Sequence, residues 1–208
     1  MLKNDLYTAF KTTVVFLVLC GLVFPFLLFG IAQIANKPAA EGSILTQNGT
    51  VVGSSLVGQA FSDPIHFQSR PANVSNWGPN NPALVTNVSQ RVAYQKVLNP
   101  TMNLVPIDLV TQSGSGVDPN ITPENALLQV PRISNLTGIS QEVLIGLVNH
   151  YTERLVVGVF GAPRVNVLQL NIALNSLLSP AALRAAEANA TALNAAALNA
   201  TAVNSTTK

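Results

Sequence analysis

The chain has 208 residues, of which 48% are hydrophobic and only 10% charged, with a formal net charge of +2. So few charges leave no basic stripe of the kind that neutralises phosphates, and nucleic acid is not an expected partner. The single cysteine, Cys20, lies in the most apolar stretch, so no disulfide framework is expected.

That stretch, Thr12 to Ile34 (TTVVFLVLCGLVFPFLLFGIAQI), carries no charged side chain. At about 1.5 Å per residue it covers the roughly 30 Å hydrocarbon core of a bilayer as a helix, which satisfies its own backbone where there is no water. The reading is a transmembrane helix over 12–34, with 1–11 before it and a linker at 35–42. A secretory signal peptide would have a shorter apolar region and a small-x-small cleavage site. Gly21 and Pro25 are tolerated in such helices, and Gly21 and Gly30 mark a small-residue face suited to helix packing. Lys3 and Lys11 precede the span and Lys37 follows it, a bias that places residues 1–11 in the cytoplasm and the bulk outside. The expected location is the cell membrane, single-pass and in contact with lipid.

About 170 residues follow, enough for one domain with a real core but not for two. The fold class expected for 43–178 is α+β, a mixed α/β extracytoplasmic domain. Asn48-Gly49, flanked by β-branched residues, predicts a hairpin through Ser43 to Val52. Phe61 to Asn81 is dense in Pro, Asn and Ser and predicts an extended surface segment pinned by Phe61, Phe67 and Trp77. Asn81-Pro82 opens a helix whose buried face carries Leu84, Val88 and Val92. Thr122-Pro123 opens another, which Pro131 should break or kink. Ser140 caps a third, with Val143, Leu144, Leu147, Val148 and Tyr151 at helical spacing. Val156 to Phe160 reads as a strand. Val165 to Leu174 is ambiguous, with helix favoured at its end. Residues 179–208 repeat Leu-Asn-Ala and Asn-Ala-Thr units and read as a low-complexity tail, mobile or partly helical.

No phosphate loop or nucleophile elbow occurs, and no catalytic residues are expected. His66 and His150 are far apart with no cysteine or carboxylate cluster beside them, so no metal site is expected and both read as packing or surface residues. One segment is unusually dense: Asp108, Thr111, Ser113, Ser115 and Asp118, interleaved with Gly114 and Gly116. Its oxygens could hold a hard cation, or they could bond the backbone of their own loop.

Five stretches in order, Gly53 to Gln59 with Phe61, Phe67 to Pro71 (FQSRP), Asn76 to Leu84 (NWGPNNPAL), Val105 to Asp118 (VPIDLVTQSGSGVD) and Gly161 to Leu174 (GAPRVNVLQLNIAL), resemble the KdpC family. Its members are the small subunit of the Kdp potassium-transporting P-type ATPase. The resemblance runs from the span to about Leu174. It departs at Asn120, where the family has His after the Asp-Pro pair, in a shortened region between Arg70 and Trp77, and in the tail. It implies an accessory subunit that is not itself an enzyme, partnered by a channel-like potassium-binding subunit and a P-type catalytic subunit. Potassium and ATP with Mg then act in those partners, and no cofactor is expected here. A family proposal, that this subunit raises affinity for ATP, sits poorly with an external domain lacking a phosphate loop. Stabilising the complex or influencing the ion entrance is favoured. Asp108, Thr111, Ser113, Ser115, Asp118, Arg164 and Asn166 are then expected at the partner interface or ion entrance. The alternative is a free-standing anchored ectodomain that binds a ligand or an envelope polymer.

Eight Asn-x-Ser/Thr triplets, at Asn48, Asn73, Asn87, Asn120, Asn135, Asn189, Asn199 and Asn204, all follow the span. Roughly three would arise by chance, so they read as possible N-glycosylation acceptors.

Overall fold

The computed structural model describes residues 2–47, 49–72, 77–155 and 161–206. They form two compact units, Met1–Leu45 and Thr46–Lys208.

In the first unit, α1 (Leu2–Val18) runs through a π-helical turn at Leu19–Val23 into α2 (Phe24–Ala35). Pro25 explains the turn. It has no amide proton, and its ring would press on the carbonyl of Gly21 four residues back. Widening the helix there lets the Phe24 amide donate to the Leu19 carbonyl, five residues back. The resulting 34-residue helix, Leu2–Ala35, is long and apolar enough to cross a membrane, and it includes residues ahead of the apolar run that begins at Thr12. None of its described residues is buried by the rest of the chain. Asn36 then accepts from the Ala39 amide and caps the short α3 (Lys37–Ala40), so part of the expected linker is helical.

At the boundary between the units, β1 (Ile44–Gln47) and β2 (Thr50–Ser54) make a two-stranded sheet around the Asn-Gly turn, whose Asn48 lies outside the described residues. Next come α4 (Pro82–Leu98), α5 (Ile107–Val110), β3 (Asn120–Ile121), α6 (Pro123–Thr137), α7 (Gln141–His150), β4 (Thr152–Glu153), β5 (Arg164–Asn166), α8 (Val167–Leu177) and α9 (Pro180–Thr206). The helix starts are those the caps predict. Asn81 accepts from the Ala83 amide, Thr122 from Asn125 and Ser140 from Val143. The ambiguous stretch after Arg164 is both things in turn: β5 ends at Asn166, which caps α8 by accepting from the Gln169 amide. The strand expected at 156–160 lies outside the described residues.

β3, β5 and β4 form an antiparallel sheet in that order, pairing Ile121 and Thr152 with Val165 from opposite sides. The core gathers on it from α6, α7 and α8: Ile121, Val130, Ile133, Leu144, Val148, Val165, Leu170 and Leu174, closed by Phe67. Each such side chain stabilises the fold by about 1.5–3 kcal/mol when fully buried.

Several expectations are corrected. α6 is not broken at Pro131 but continues to Thr137 and ends at Gly138 in the left-handed conformation. Leu84, Val88 and Val92 are only half-buried, whereas Gln95 and Leu98 are the buried residues of α4. Val143 is exposed, so α7 buries a narrower face, with Leu144 and Val148 inside. Trp77 is 40% exposed and is no core anchor. Phe67, by contrast, is wholly buried in the core as expected, and Ile65, which the sequence did not single out, is wholly buried too. Finally, Pro180–Thr206 is no loose tail: it forms α9, which packs along α4 and α6. Ala186, Ala190 and Ala197 are buried on one face, and the Tyr94 hydroxyl donates to Asn194 at 2.9 Å. A stripe of alanines lets two helices approach closely, which a search for leucine stripes overlooks.

Candidate functional site

The dense segment begins on α5 and ends at β3. Its hydroxyls are committed locally. Thr111 donates to the Ile107 carbonyl at 2.6 Å, Ser113 accepts from the Gly116 amide at 2.9 Å, and Ser115 accepts from Val117. This is the turn chemistry of Ser and Thr rather than a ring of oxygens facing a cation. Among the described residues, no group of three His, Cys, Asp or Glu side chains is placed to hold a metal ion.

Asp108 does something else. It is buried, and its Oδ2 accepts from both the amide (2.8 Å) and the hydroxyl (3.1 Å) of Thr122, so it holds the residue that caps α6. Its Oδ1 has no hydrogen-bond partner. Asp118 Oδ1 accepts from the Asn120 amide and side chain, and its Oδ2 lies 3.7 Å from Arg70. Arg70 also donates to the Gln112 carbonyl at 3.0 Å, and its buried Nε is without a partner. Arg164 pairs with Glu153 at 2.8 Å across β5 and β4.

These charges share one open cleft of about 380 Å³, lined by Arg70, Asp108, Asp118, Asn120, Thr122 and Arg164. Of the residues singled out in the sequence, Asp108, Asp118 and Arg164 therefore meet. Thr111, Ser113 and Ser115 do not line that cleft. Asn166 donates to the Ser55 carbonyl at 2.7 Å and ties the start of α8 to the segment after β2. That segment also comes close at Gly58, whose amide donates to the Val117 carbonyl at 2.7 Å. A Cβ there would sit 2.5 Å from the Asp118 carbonyl oxygen, so only glycine fits.

Sequence reasoning missed a buried polar network behind the cleft. The irregular stretch Ile65 to Gln68 cannot pair with a strand, so side chains take over its backbone. Asn171 both accepts from the Phe67 amide and donates to its carbonyl, each at 2.9 Å. Gln129 does the same for Gln68, at 2.7 and 3.2 Å. Arg132 donates twice to the His66 carbonyl at 3.1 Å, to Asn99 Oδ1 at 2.9 Å and to Gln129 Oε1 at 2.8 Å. It has no carboxylate partner within ion-pair distance among the described residues. Burial lowers the Arg132 pKa to about 10, a fall only partly opposed by Tyr94 and Asp63. A signal existed. Asn125, Gln129 and Arg132 recur at helical spacing on the face of α6 that should be apolar. Consistent with a packing role, His66 lies 2.9 Å from Asn175 through Nε2 and 3.6 Å from Asp63 through Nδ1. His150 stacks edge-on against Tyr151.

The sequon asparagines are scattered. Asn48 and Asn73 lie outside the described residues. Asn87 donates to the Ala83 carbonyl and Asn120 to Asp118. Asn135, Asn189 and Asn199 are exposed on helices, and the side chain of Asn204 is not described.

Together these features define a class: a small α/β domain, its polar side chains largely committed to holding it together, preceded by one apolar helix long enough to cross a membrane. The family model KdpC, "K+-transporting ATPase, c chain", matches residues 6–176. A Bacillus cereus (strain B4264) protein named "Potassium-transporting ATPase KdpC subunit" is 45% identical over 180 residues, covering 81% of this chain and 93% of that protein. One of the same name from Bacillus thuringiensis subsp. konkukian (strain 97-27) is 43% identical over 188 residues, covering 85% and 97%. The chain belongs to the KdpC family. The matched region stops before α9.

Proposed function

We propose that this chain is the membrane-anchored accessory subunit of an ATP-driven potassium uptake pump, and that it stabilises the assembled complex with its domain outside the cell. The family match across helix and domain carries the reading. The partners are a channel-like potassium-binding subunit and a P-type catalytic subunit, in which potassium, ATP and Mg act. The slight lysine bias across the helix supports a cytoplasmic amino-terminal end, and an external domain has no access to cytosolic ATP. That favours assembly, or an influence on the ion entrance, over direct nucleotide contact.

Gly21 and Gly30 support helix packing with those partners. A Cβ at either would meet nothing within 4 Å in this chain, so no intrachain contact requires glycine there. The cleft bounded by Arg70, Asp118 and Arg164 is the proposed partner-facing surface. Purification in mild detergent through a tag on the catalytic subunit tests the assignment. This chain should co-purify, and omitting it should lower the yield of active complex. A chain recovered alone, with pump yield and potassium-dependent ATPase activity unaffected by its absence, refutes it. Arg164→Ala tests the cleft, and unchanged assembly and potassium dependence would remove it from the interface. The exposed sequons Asn135, Asn189 and Asn199 are proposed carriers of glycans on the outer surface. An intact native mass equal to that of the bare chain rejects this.

A further inference from the structure

The stretch from Thr101 to Ile107, which leads from α4 into the first residue of α5, is unusual for the domain. Leu104 and Ile107 are 85% and 75% exposed, more than any other large apolar side chain described in the second unit. Both line a groove of about 390 Å³, together with Val105 and Pro106. The same groove is lined by two carboxylates, Asp108 and Glu124, and by no Lys or Arg. Glu124 is exposed at the start of α6, and Asp108 is buried beside it with Oδ1 unpartnered. Neither carboxylate has an ion-pair partner within 4.0 Å among the described residues. An apolar ridge beside uncompensated negative charge lacks two things, an aliphatic neighbour and a cation. A single polypeptide segment can supply both.

Resting on the pump-subunit reading above, we infer that this groove seats a segment of another pump subunit, presenting an aliphatic side chain to Leu104 and Ile107 and a Lys or Arg to Glu124 and Asp108. Charge complementarity sets the occupant. A second copy of this chain would bring the same two carboxylates to a symmetric contact, like charge against like. A free hydrated cation would leave the apolar ridge in water. The aliphatic contact supplies the burial that sustains a complex, and the ion pair sets register and choice of partner.

The test uses the chain co-expressed with its partner subunits and recovered through a tag on one of them. Leu104→Ser combined with Ile107→Ser should weaken association at least about tenfold, as loss of a central apolar anchor does. Both side chains are already exposed, so unfolding of the variant chain, followed by Trp77 fluorescence, should match that of the parent. Glu124→Gln should weaken association less than Glu124→Lys, and raising salt should narrow the gap between them. A photo-crosslinking residue in place of Leu104 should attach to a peptide of another pump subunit with a Lys or Arg within a few residues. Attachment to a second copy of this chain, to a peptide without a basic residue or to no protein overturns the inference. So does full recovery of the complex with the Leu104 and Ile107 variant. If the parent chain itself brings down no pump subunit, the failure belongs to the pump-subunit reading instead.

Discussion

Arg132 offers the sharpest test of how the domain holds its irregular centre. Truncation by Arg132→Ala strands two buried acceptors, the His66 carbonyl and Asn99 Oδ1, because neither has another donor in the network. Gln129 Oε1 is spared, since the Gln68 amide still donates to it. Two orphaned acceptors cost about 1–3 kcal/mol each, and the space left by the side chain costs about as much again. Against this stands relief of a buried charge. The fall of its pKa from the ordinary guanidinium range to about 10 corresponds to roughly 3 kcal/mol of burial penalty at neutral pH. Together the losses come to about 4–12 kcal/mol, which exceeds the relief and leaves an expected net destabilisation of at least about 1 kcal/mol and centrally about 5.

Because the folded pKa lies below the unfolded one, the penalty is present at all pH values below about 10 and is relieved only as pH rises from there towards the unfolded value. Arg132→Met, which fills most of the volume without charge, should lose that high-pH gain and be milder than Arg132→Ala. Urea unfolding of the full chain in detergent, followed by the fluorescence of its single tryptophan, Trp77, reads out the domain. If both variants unfold within about 0.5 kcal/mol of the parent, the network does not hold the segment and the reasoning fails.

Gly58→Ala forces a Cβ against the Asp118 carbonyl and should cost about 1–3 kcal/mol, seen as earlier thermal unfolding; an unchanged melting temperature would show that the two segments can separate freely. Burial of the Asp63 carboxyl opposes its ionisation. Hydrogen bonds from His66 and the Ile65 amide, with the charges of His66 and Arg132, outweigh burial and hold its pKa below the ordinary range. Its contribution is thus present above the unfolded pKa and lost as pH falls through the lower folded value, so Asp63→Asn should flatten the acid limb of a stability profile. Gly21→Leu and Gly30→Leu meet no obstacle within this chain and should leave its domain intact while lowering the yield of assembled pump. Equal yields for both would exclude packing through these glycines.

Much of the architecture was legible because its causes are local. A helix begins where a side-chain oxygen can reach an amide two or three residues on, and Asn81, Thr122 and Ser140 all do so. The long apolar helix and the Asn-Gly hairpin follow likewise from composition and from one tight turn. Asp108, Asp118 and Arg164 could be singled out as residue types, but the cleft that joins them exists only because β5 is laid against β3.

The remainder depends on partners far along the chain, which no local pattern names. Phe67 is buried because Asn171, 104 residues away, supplies the hydrogen bonds that a neighbouring strand would otherwise provide. Pro131 stays inside α6, where the packing of Val130 and Ile133 into the core outweighs one missing backbone bond. Residues 180–206, polar and repetitive by composition, form an ordered helix because α4 offers Tyr94 and a face that alanines can approach closely. Sequence alone determined the long apolar helix, the three capped helix starts and the family. Tertiary contact decided which polar residues are buried, since a buried amide or guanidinium is tolerated only where every element around it is in place.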